Sequence, residues 1–253
     1  MKDSRERFTD RVDDYVRHRP GYPDGVRDLL ERDCCLRRGS GVADLGSGTG
    51  ILSRLLLSAG ARVFGVEPNA AMRAAAESTF ATEEAFVSVE GTAEATGLAP
   101  TSIDLATAGQ AFHWFDPART RAELQRILRP GAHVALIWNV RASTPFNDDY
   151  EDLLVRFAPE YPAVRARDRA SEATVSEVLA PQAVHVARIP NLQQFDEAGL
   201  RGRLMSSSYA PKDGEPTHPA MMARMKEIFA AHASQGLVEM AYETVVYWGI
   251  GKL

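Results

Sequence analysis

The sequence predicts an α/β fold with a mostly parallel sheet that is covered by helices on both faces. Continuous apolar runs alternate with amphipathic segments from Val42 to Trp138, and strands that are buried on both faces carry such runs. A glycine-rich turn, Gly46-Ser-Gly-Thr-Gly50, joins the first run to the first helical pattern. The 253 residues, 45% of them hydrophobic, suffice for the core of one large domain, with or without a modest cap.

The individual elements follow from periodicity and from the residues at their ends. A polar helix is predicted over 4–17, and Pro23 is predicted to open a second helix, because proline suits the first turn of a helix. Asp116-Pro117 is a typical cap and first residue of a later helix. Strands are predicted over 42–45, 62–66, 85–89, 103–108 and 132–138, and the helices between them over 51–58, 70–80 and 117–128.

The pattern changes after Asn139. Residues 145–180 are charged and predicted to be helical, and we expect an insertion over the sheet and not a second core. The charge run over 165–169 is expected to be solvated, with anion binding as the alternative. Strands over 185–195 and 238–250 and an amphipathic helix over 221–233 follow.

Composition argues against several classes of protein. The net charge of −5 and the pI near 5.7 do not suggest the basic stripe of a nucleic-acid binder. No apolar run reaches 18 residues, so no membrane span is expected, and the charged start has no apolar signal core. Cys34 and Cys35 are adjacent, which suits neither a structural disulfide nor a metal site, so we expect reduced thiols and a cytoplasmic protein.

The glycine-rich turn is typical of a binding site for a nucleotide-like ligand with an anionic group. Glycine permits positive φ and leaves no side chain between backbone N–H groups and a ligand, and the following helix directs its positive end to the same place. Dinucleotide enzymes favour G-x-G-x-x-G, but Ile51 stands at the third glycine position here. This departure disfavours a nicotinamide dinucleotide.

Three further positions lie where the predicted strands end. Glu67 follows the second strand about 20 residues after the turn, where an acid can accept hydrogen bonds from ribose hydroxyls; the alternative is a solvated glutamate. Gly91 and the small residues after it leave room for a flat base beside the backbone. The segment 108–115 places a histidine and three aromatic residues at the carboxyl edge of the sheet, where open α/β sheets bind ligands.

Together these motifs resemble the class I S-adenosylmethionine-dependent methyltransferases. The resemblance rests on the glycine turn, Glu67, Gly91-Thr-Ala-Glu, Ala111-Phe-His-Trp-Phe and Leu128-Arg-Pro-Gly. Within that family the chain is most similar to the small-molecule subgroup related to ubiquinone-pathway and trans-aconitate methyltransferases. The resemblance implies a Rossmann-like seven-stranded sheet, with the last strand antiparallel, and a helical cap over the carboxyl edge.

The resemblance also implies S-adenosyl-L-methionine as cofactor and a set of residues that hold it. Asp44, Gly46, Ser47 and Gly48 are expected to cradle its amino acid end, and Glu67 its ribose. The other expected cofactor residues are Tyr15, Arg19, Asn69, Met72, Thr92, Ala93 and Gln110.

On the acceptor side, His113 is the candidate general base, because imidazole takes a proton near neutrality. The alternatives are a wall of the pocket or a place in the core. Tyr22, Trp114 and Asn139 are expected to line the substrate pocket, and no metal ligands are evident.

The sequence therefore predicts methyl transfer to a small molecule by a monomer or homodimer without nucleic-acid or membrane partners. The acceptor atom (oxygen, nitrogen or carbon) is left open. A protein that binds the cofactor without methyl transfer, such as a cofactor-dependent cyclase, is one alternative. An NAD-dependent oxidoreductase is another, opposed by the altered third glycine and the lack of a Tyr-x-x-x-Lys pair.

We expect a single methyltransferase domain over 1–253 with four parts. An N-terminal helical lid is expected over 1–39 and a cofactor-binding core over 40–140. A cap insertion is expected over 141–182, followed by C-terminal strands and a helix over 183–253.

Overall fold

The computed structural model describes residues 19–168, 172–179, 183–207 and 209–251. Within these ranges the chain folds into one seven-stranded sheet with helices on both faces, which confirms the predicted fold class. The helix predicted over 4–17, and Tyr15 with it, lies outside the described residues.

The first half of the chain alternates strands and helices with nearly the predicted bounds. The strands are β1 (Gly41–Leu45), β2 (Arg62–Val66), β3 (Phe86–Val89) and β4 (Ile103–Gly109). The helices are α1 (Asp24–Asp33), α2 (Ile51–Ser58), α3 (Ala70–Thr79) and α4 (Pro117–Ile127), with a 3-10 turn at Phe112–Trp114. Side-chain caps set two of these starts, since Asn69 accepts from the backbone N–H of Met72 and Asp116 from that of Arg119.

The second half contains longer strands and a helical region. The strands are β5 (Leu128–Arg141), β6 (His185–Phe195) and β7 (Val238–Ile250). The helices are α5 (Pro145–Phe157), α6 (Tyr161–Asp168), α7 (Glu172–Leu179), α8 (Glu197–Met205) and α9 (His218–His232).

Two elements differ from the predictions. The prediction of 132–138 for β5 was too short, because this strand pairs with β4 from Leu128 and with β7 as far as Arg141. Helix α8 was not predicted at all. It contains Gly199 and Gly202, and glycine weakens the helical signal of such a short segment.

The strand order places the glycine turn at the centre of the sheet. The order is β3-β2-β1-β4-β5-β7-β6, so β1 pairs in parallel with β2 on one side and with β4 on the other. Open α/β sheets bind ligands outside the carboxyl ends of the strands at the point where the strand order reverses. Strand β7 lies antiparallel between β5 and β6, as the resemblance implies.

Alternate residues of the strands bury two opposite faces of the sheet. On β5, Val134 and Leu136 pack with Leu124 of α4, whereas Ala135 and Ile137 belong to the cluster of α1 and α2 on the other face. This period of two, with both faces apolar, is what a parallel sheet between two helical layers requires.

A third apolar cluster lies at the carboxyl edge of the sheet. Helices α5, α6, α8 and α9, which we call the cap, contribute buried side chains such as Leu154, Leu204 and Met221. They pack against the end of β6 and the start of β7, which meet at this edge because β7 runs antiparallel.

The predicted insertion and the C-terminal part of the chain share this core. The cluster joins Tyr150, before the predicted boundary at 182, with Met225 and Met240 after it. The apolar residues of α5 alternate with charged residues in the sequence, so a buried face was not predicted for this helix. The residues that they pack against lie some 70 positions further along the chain.

No described helix has both the length and the apolarity needed to cross a membrane.

Both cysteines are free, with Cys34 buried and Cys35 exposed. Burial raises the pKa of the Cys34 thiol to about 12, so this thiol is unreactive as a nucleophile.

Truncation of the cap core is expected to destabilise the protein. Leu154→Ala removes a side chain that is 0% exposed, and such changes cost about 2–5 kcal/mol in the free energy of unfolding. Val155→Ala on the same helix is the matched control, because Val155 is 50% exposed and its loss is expected to cost less than about 0.5 kcal/mol. Urea-induced unfolding measures both, and equal effects would contradict the assignment of a buried cap core.

Candidate functional site

A cavity of about 740 Å³ lies between the carboxyl edge of the sheet and the cap. It begins at the glycine turn and reaches the helices α5, α6 and α8. Every described residue that the sequence predicts for the site lines it, namely Arg19, Tyr22, Asp44, Gly46, Ser47, Gly48, Glu67, Asn69, Met72, Thr92, Ala93, Gln110, His113, Trp114 and Asn139. Their individual roles stay predictions.

The three glycines of the turn all have left-handed backbone conformations, but they differ in what they contact. A Cβ on Gly46 (φ +64°) would lie 2.7 Å from the Cβ of Ala111, and one on Gly50 would collide with the Phe80 ring. A Cβ on Gly48 (φ +56°) would contact nothing and would project into open space beside the cavity. Gly46 and Gly50 thus permit close packing, whereas Gly48 keeps the approach to the backbone open.

Glu67 is fixed by the turn. Its Oε2 accepts a hydrogen bond from the backbone N–H of Gly48 at 3.0 Å, and its Oε1 accepts one from Asn69 at 2.8 Å. Burial raises the pKa of this carboxyl above its usual value, although both N–H bonds oppose that shift. A carboxylate has about four acceptor positions, so Glu67 keeps capacity for a ligand in the cavity.

Asp44 is held between α2 and β4 at the bottom of the turn. Its Oδ2 accepts from the Ser53 hydroxyl at 2.7 Å and its Oδ1 from the Thr107 hydroxyl at 3.2 Å. The carboxyl is 1% exposed, and burial raises its pKa to about 7. A cation placed beside it would stabilise the ionised form.

Strand β4 ends in a strained turn that closes on the N-terminal segment. Gln110 has φ +54°, which is uncommon for a residue other than glycine, and its side-chain amide donates to the carbonyl of Asn139 at 3.3 Å. A Cβ on Gly109 would lie 2.5 Å from the Tyr22 hydroxyl. The glycine therefore allows Tyr22 to lie directly against the strand end.

The acceptor side of the cavity has aromatic walls. His113 and Trp114 stand on the 3-10 turn with ring centroids 5.2 Å apart, while Phe112 turns into the core. Trp138 is 3% exposed, and its indole N–H makes no hydrogen bond within the described ranges. It is a buried donor at the wall of the cavity.

Asn139 and Arg19 have structural partners as well as a place at the cavity. The Asn139 amide donates to the carbonyl of Gly21 at 3.1 Å and accepts from Thr244 at 2.6 Å and from Asn191 at 3.1 Å. These bonds anchor the N-terminal segment, so the geometry favours an anchoring role for Asn139. Arg19 donates to the carbonyl of Ser206 at 3.2 Å and so lies at the cap end.

Sequence reasoning missed the residues that the cap and the chain segments beside it contribute. They are Arg141, Asn147, Glu151, Tyr161, Arg203, Tyr209 and Tyr242. Arg141 was missed because β5 was predicted to end at Trp138, and Arg203 and Tyr209 because no element was predicted between 196 and 220. Arg165 was expected to be solvated; it is half exposed and pairs with Glu151 at 2.7 Å. Nothing in the local sequence indicates these contacts.

Within the described ranges, no group of three or more His, Cys, Asp or Glu side chains is placed to hold a metal ion.

Residues 43–136 match the family model described as a methyltransferase domain. An uncharacterized methyltransferase of Mycobacterium tuberculosis is 40% identical over 138 residues, which cover 53% of this chain and 52% of that protein. The chain thus spans about half the length of the curated relatives it matches.

Solved structures share the fold. A protein from Anaeromyxobacter dehalogenans, assigned provisionally as a type II methyltransferase, has a TM-score of 0.66 at 24% identity and covers 92% of this chain and 98% of its own. The phosphoethanolamine N-methyltransferase 2 of Haemonchus contortus, solved with S-adenosyl-L-methionine, has a TM-score of 0.58 at 15% identity and covers 97% of this chain and 57% of its own. Residues 43–136 therefore match a methyltransferase domain, and the described part of the chain shares the fold of these methyltransferase structures.

Proposed function

We propose that this protein transfers a methyl group from S-adenosyl-L-methionine to a small molecule bound beneath the cap. The observation that carries the proposal is the continuity of the cavity, which joins the glycine turn and Glu67 to the aromatic walls and the cap. Its volume of about 740 Å³ falls within the range of small-molecule sites. The cap covers the acceptor side, so a compact acceptor fits better than a macromolecule.

The residues around the glycine turn fit the cofactor. Gly48 leaves the backbone open, Glu67 offers carboxylate oxygens to ribose hydroxyls, and the buried Asp44 favours a nearby cation such as an ammonium group. Met72 and Ala93 are buried and line the same part of the cavity, where they suit the faces of an adenine. The H. contortus neighbour that binds this cofactor supports the assignment.

When bound, the cofactor supplies an electrophilic methyl group on a sulfonium. The protein has to orient the acceptor toward that methyl group and exclude water, and orientation can lower the barrier by ~7–11 kcal/mol. His113, Trp114 and Trp138 form the wall on which the acceptor would lie. We infer that His113 takes the acceptor's proton where the acceptor carries one.

We also propose a functional division of the chain. The segment 40–140 holds the cofactor, and residues before it complete the wall of the cavity, since Tyr22 and Arg19 line it. The cap holds the acceptor. Its members come from both sides of the predicted boundary at 182.

Loss of the Glu67 carboxylate is expected to weaken cofactor binding. Glu67→Ala removes two acceptor oxygens and also leaves the N–H of Gly48 without its partner. We expect the Kd for S-adenosylhomocysteine, measured by calorimetry, to rise at least about tenfold, or about 1.4 kcal/mol. Glu90→Ala is the control, because that side chain is 80% exposed and pairs with Arg73 at the surface. Unchanged affinity in Glu67→Ala would contradict the proposed role.

Cofactor binding is expected to release a proton from Asp44. Its folded-state pKa of about 7 lies above the ordinary value, so in the ligand-free protein the group stays protonated at about pH 6. The raised pKa of Asp44 therefore adds to the free energy of unfolding in full at low pH, and this contribution is lost as the pH rises through 7. A bound cation lowers that pKa and frees the proton.

Calorimetry at about pH 6 in buffers of different ionisation enthalpy measures this release. Wild-type protein is expected to release up to about one proton on binding S-adenosylmethionine, and Asp44→Asn markedly less. Equal release in both would show that Asp44 does not face the cofactor's cation.

The activity itself is tested with S-adenosylmethionine labelled in the methyl group and a size-filtered metabolite extract. We expect label in a small molecule, and we expect His113→Ala to lower its transfer about 100-fold while the Kd for S-adenosylhomocysteine changes less than about twofold. Label found only in macromolecules of an unfiltered lysate would refute the small acceptor. Binding of S-adenosylmethionine without transfer of label to any fraction would favour a protein that binds the cofactor but does not transfer its methyl group. A rise in melting temperature with NAD but not with S-adenosylhomocysteine would refute the proposed cofactor.

A further inference from the structure

Two buried arginines lie at the cap end of the cavity. Arg141 ends β5 with its side chain 16% exposed, and Arg203 on α8 is 3% exposed. Both line the cavity. Burial of a guanidinium is costly unless anions or hydrogen-bond acceptors compensate it, so the partners of each arginine decide what the site still requires.

Arg141 shares its carboxylate partner among the described residues, Glu151, with another cation. Its Nη2 donates to Oε2 of Glu151 at 2.8 Å and to the Tyr161 hydroxyl, while Arg165 pairs with Oε1 of the same glutamate at 2.7 Å. The guanidinium lies over the rings of Tyr150 and Tyr161, with centroid distances of 5.6 and 5.7 Å. Its buried Nε makes no hydrogen bond to the part of the chain that the structure describes.

Arg203 has only neutral partners among the described residues. Its Nε donates to the Tyr242 hydroxyl at 3.4 Å, and its Nη1 donates to the hydroxyls of Ser206 and Ser207 at 3.5 and 3.3 Å. These are long hydrogen bonds, and no described carboxylate pairs with this guanidinium. Arg19, which donates to the Ser206 carbonyl, adds a further positive charge at the same end.

The ionisation of Tyr209 reflects the resulting positive field. Burial raises the pKa of this phenol, but Arg141, Arg203 and Arg19, with a hydrogen bond to Ser207, hold it below its usual value. Tyr209 packs on Tyr161 with ring centroids 4.8 Å apart and lines the cavity. An environment that stabilises a phenolate also stabilises other anions.

The acids of the cavity wall do not neutralise this end. Asp44 and Glu67 belong to the glycine turn at the opposite end. Asp148 is exposed and accepts hydrogen bonds from Ser143, and Glu94 accepts one from the backbone N–H of Asp116 at 2.9 Å. Among the described lining acids, Glu151, with its side chain 17% exposed, is the one that pairs with the cluster. The cavity thus has an acidic end at the glycine turn and a basic end at the cap.

We propose that the acceptor carries an oxyanion group, a carboxylate or a phosphate, which Arg203 and Arg141 bind at the cap end of the cavity. A planar guanidinium matches both groups with paired hydrogen bonds. Bound there, the anion directs the rest of the acceptor along the aromatic walls toward His113 and the glycine turn. This inference rests on the proposed function and specifies its substrate class.

Calorimetric titration of protein saturated with S-adenosylhomocysteine tests the site with three small probes: phenylacetate, phenyl phosphate and the neutral phenylacetamide. We expect at least one anion to bind at least about tenfold more tightly than the amide, because only an anion can compensate the buried guanidinium. The stronger anion identifies the group as carboxylate or phosphate. Absence of anion binding, or an amide that binds equally well, would overturn the proposal.

Variants of the two arginines test where the anionic probes bind. Arg203→Gln is expected to raise the Kd of the anion at least about tenfold. The Kd for S-adenosylhomocysteine is expected to stay within about twofold of the wild-type value, which also shows that the variant is folded. Arg141→Gln is the second variant, and Arg224→Gln, on the surface of α9 and paired with Glu227, is the matched control. Anion binding that survives both cap variants would refute the site.

The two proposals can fail separately. Wild-type protein that binds S-adenosylhomocysteine but no anion refutes only the anion site. Wild-type protein that does not bind S-adenosylhomocysteine refutes the proposed function, and the anion titration is then repeated without it.

Discussion

The left-handed turn after β1 is the constraint on which the site depends. It lets the chain pass from the central strand into α2 within five residues, and it presses Gly46 against Ala111 from the end of β4. The N–H of Gly48 then reaches across to Glu67 at the end of β2. Three neighbouring strand ends are thereby joined by backbone geometry, and any side chain at Gly46 would separate them.

The antiparallel strand β7 contributes the other half of the cavity. Because it runs against β5, its first residues lie at the edge where the parallel strands end. Tyr242 and Met240 can therefore belong to the cap core while the rest of the same strand closes the sheet. One reversal of direction thus brings the C-terminal part of the chain over a site built by the N-terminal part.

The sequence was informative wherever a function depends on local backbone geometry. The strand ends, the glycine turn and Glu67 could all be placed from neighbouring residues, since turns and caps are encoded within a few positions. The cap could not be placed in this way. Arg203 follows two glycines that weaken its helix, and its position beside Arg141 depends on packing between segments more than 60 residues apart. Long-range pairing of this kind leaves no periodic signal along the chain.

The surroundings of a charged side chain, and therefore its pKa, also depend on contacts that the local sequence does not show. A run of charges such as 165–169 is expected to be solvated by default, and only the fold reveals that Arg165 turns to Glu151. Asp44 likewise looks like an ordinary acid in the sequence, and its raised pKa arises from complete burial between α2 and β4.

One backbone oxygen between two residues that line the cavity, Pro20 and Tyr22, links three parts of the chain. The carbonyl of Gly21 accepts both the Asn139 amide of β5 and the Asn191 amide of β6, at 3.1 and 3.0 Å. Displacing this segment breaks both bonds together and leaves the Asn139 amide N–H groups without this acceptor, while the Asn191 amide keeps its hydrogen bond to Oδ1 of Asn139. Pro20 and Tyr22 on either side of Gly21 line the cavity, so any movement of this part of the wall has to break a pair of ordinary hydrogen bonds at the same time.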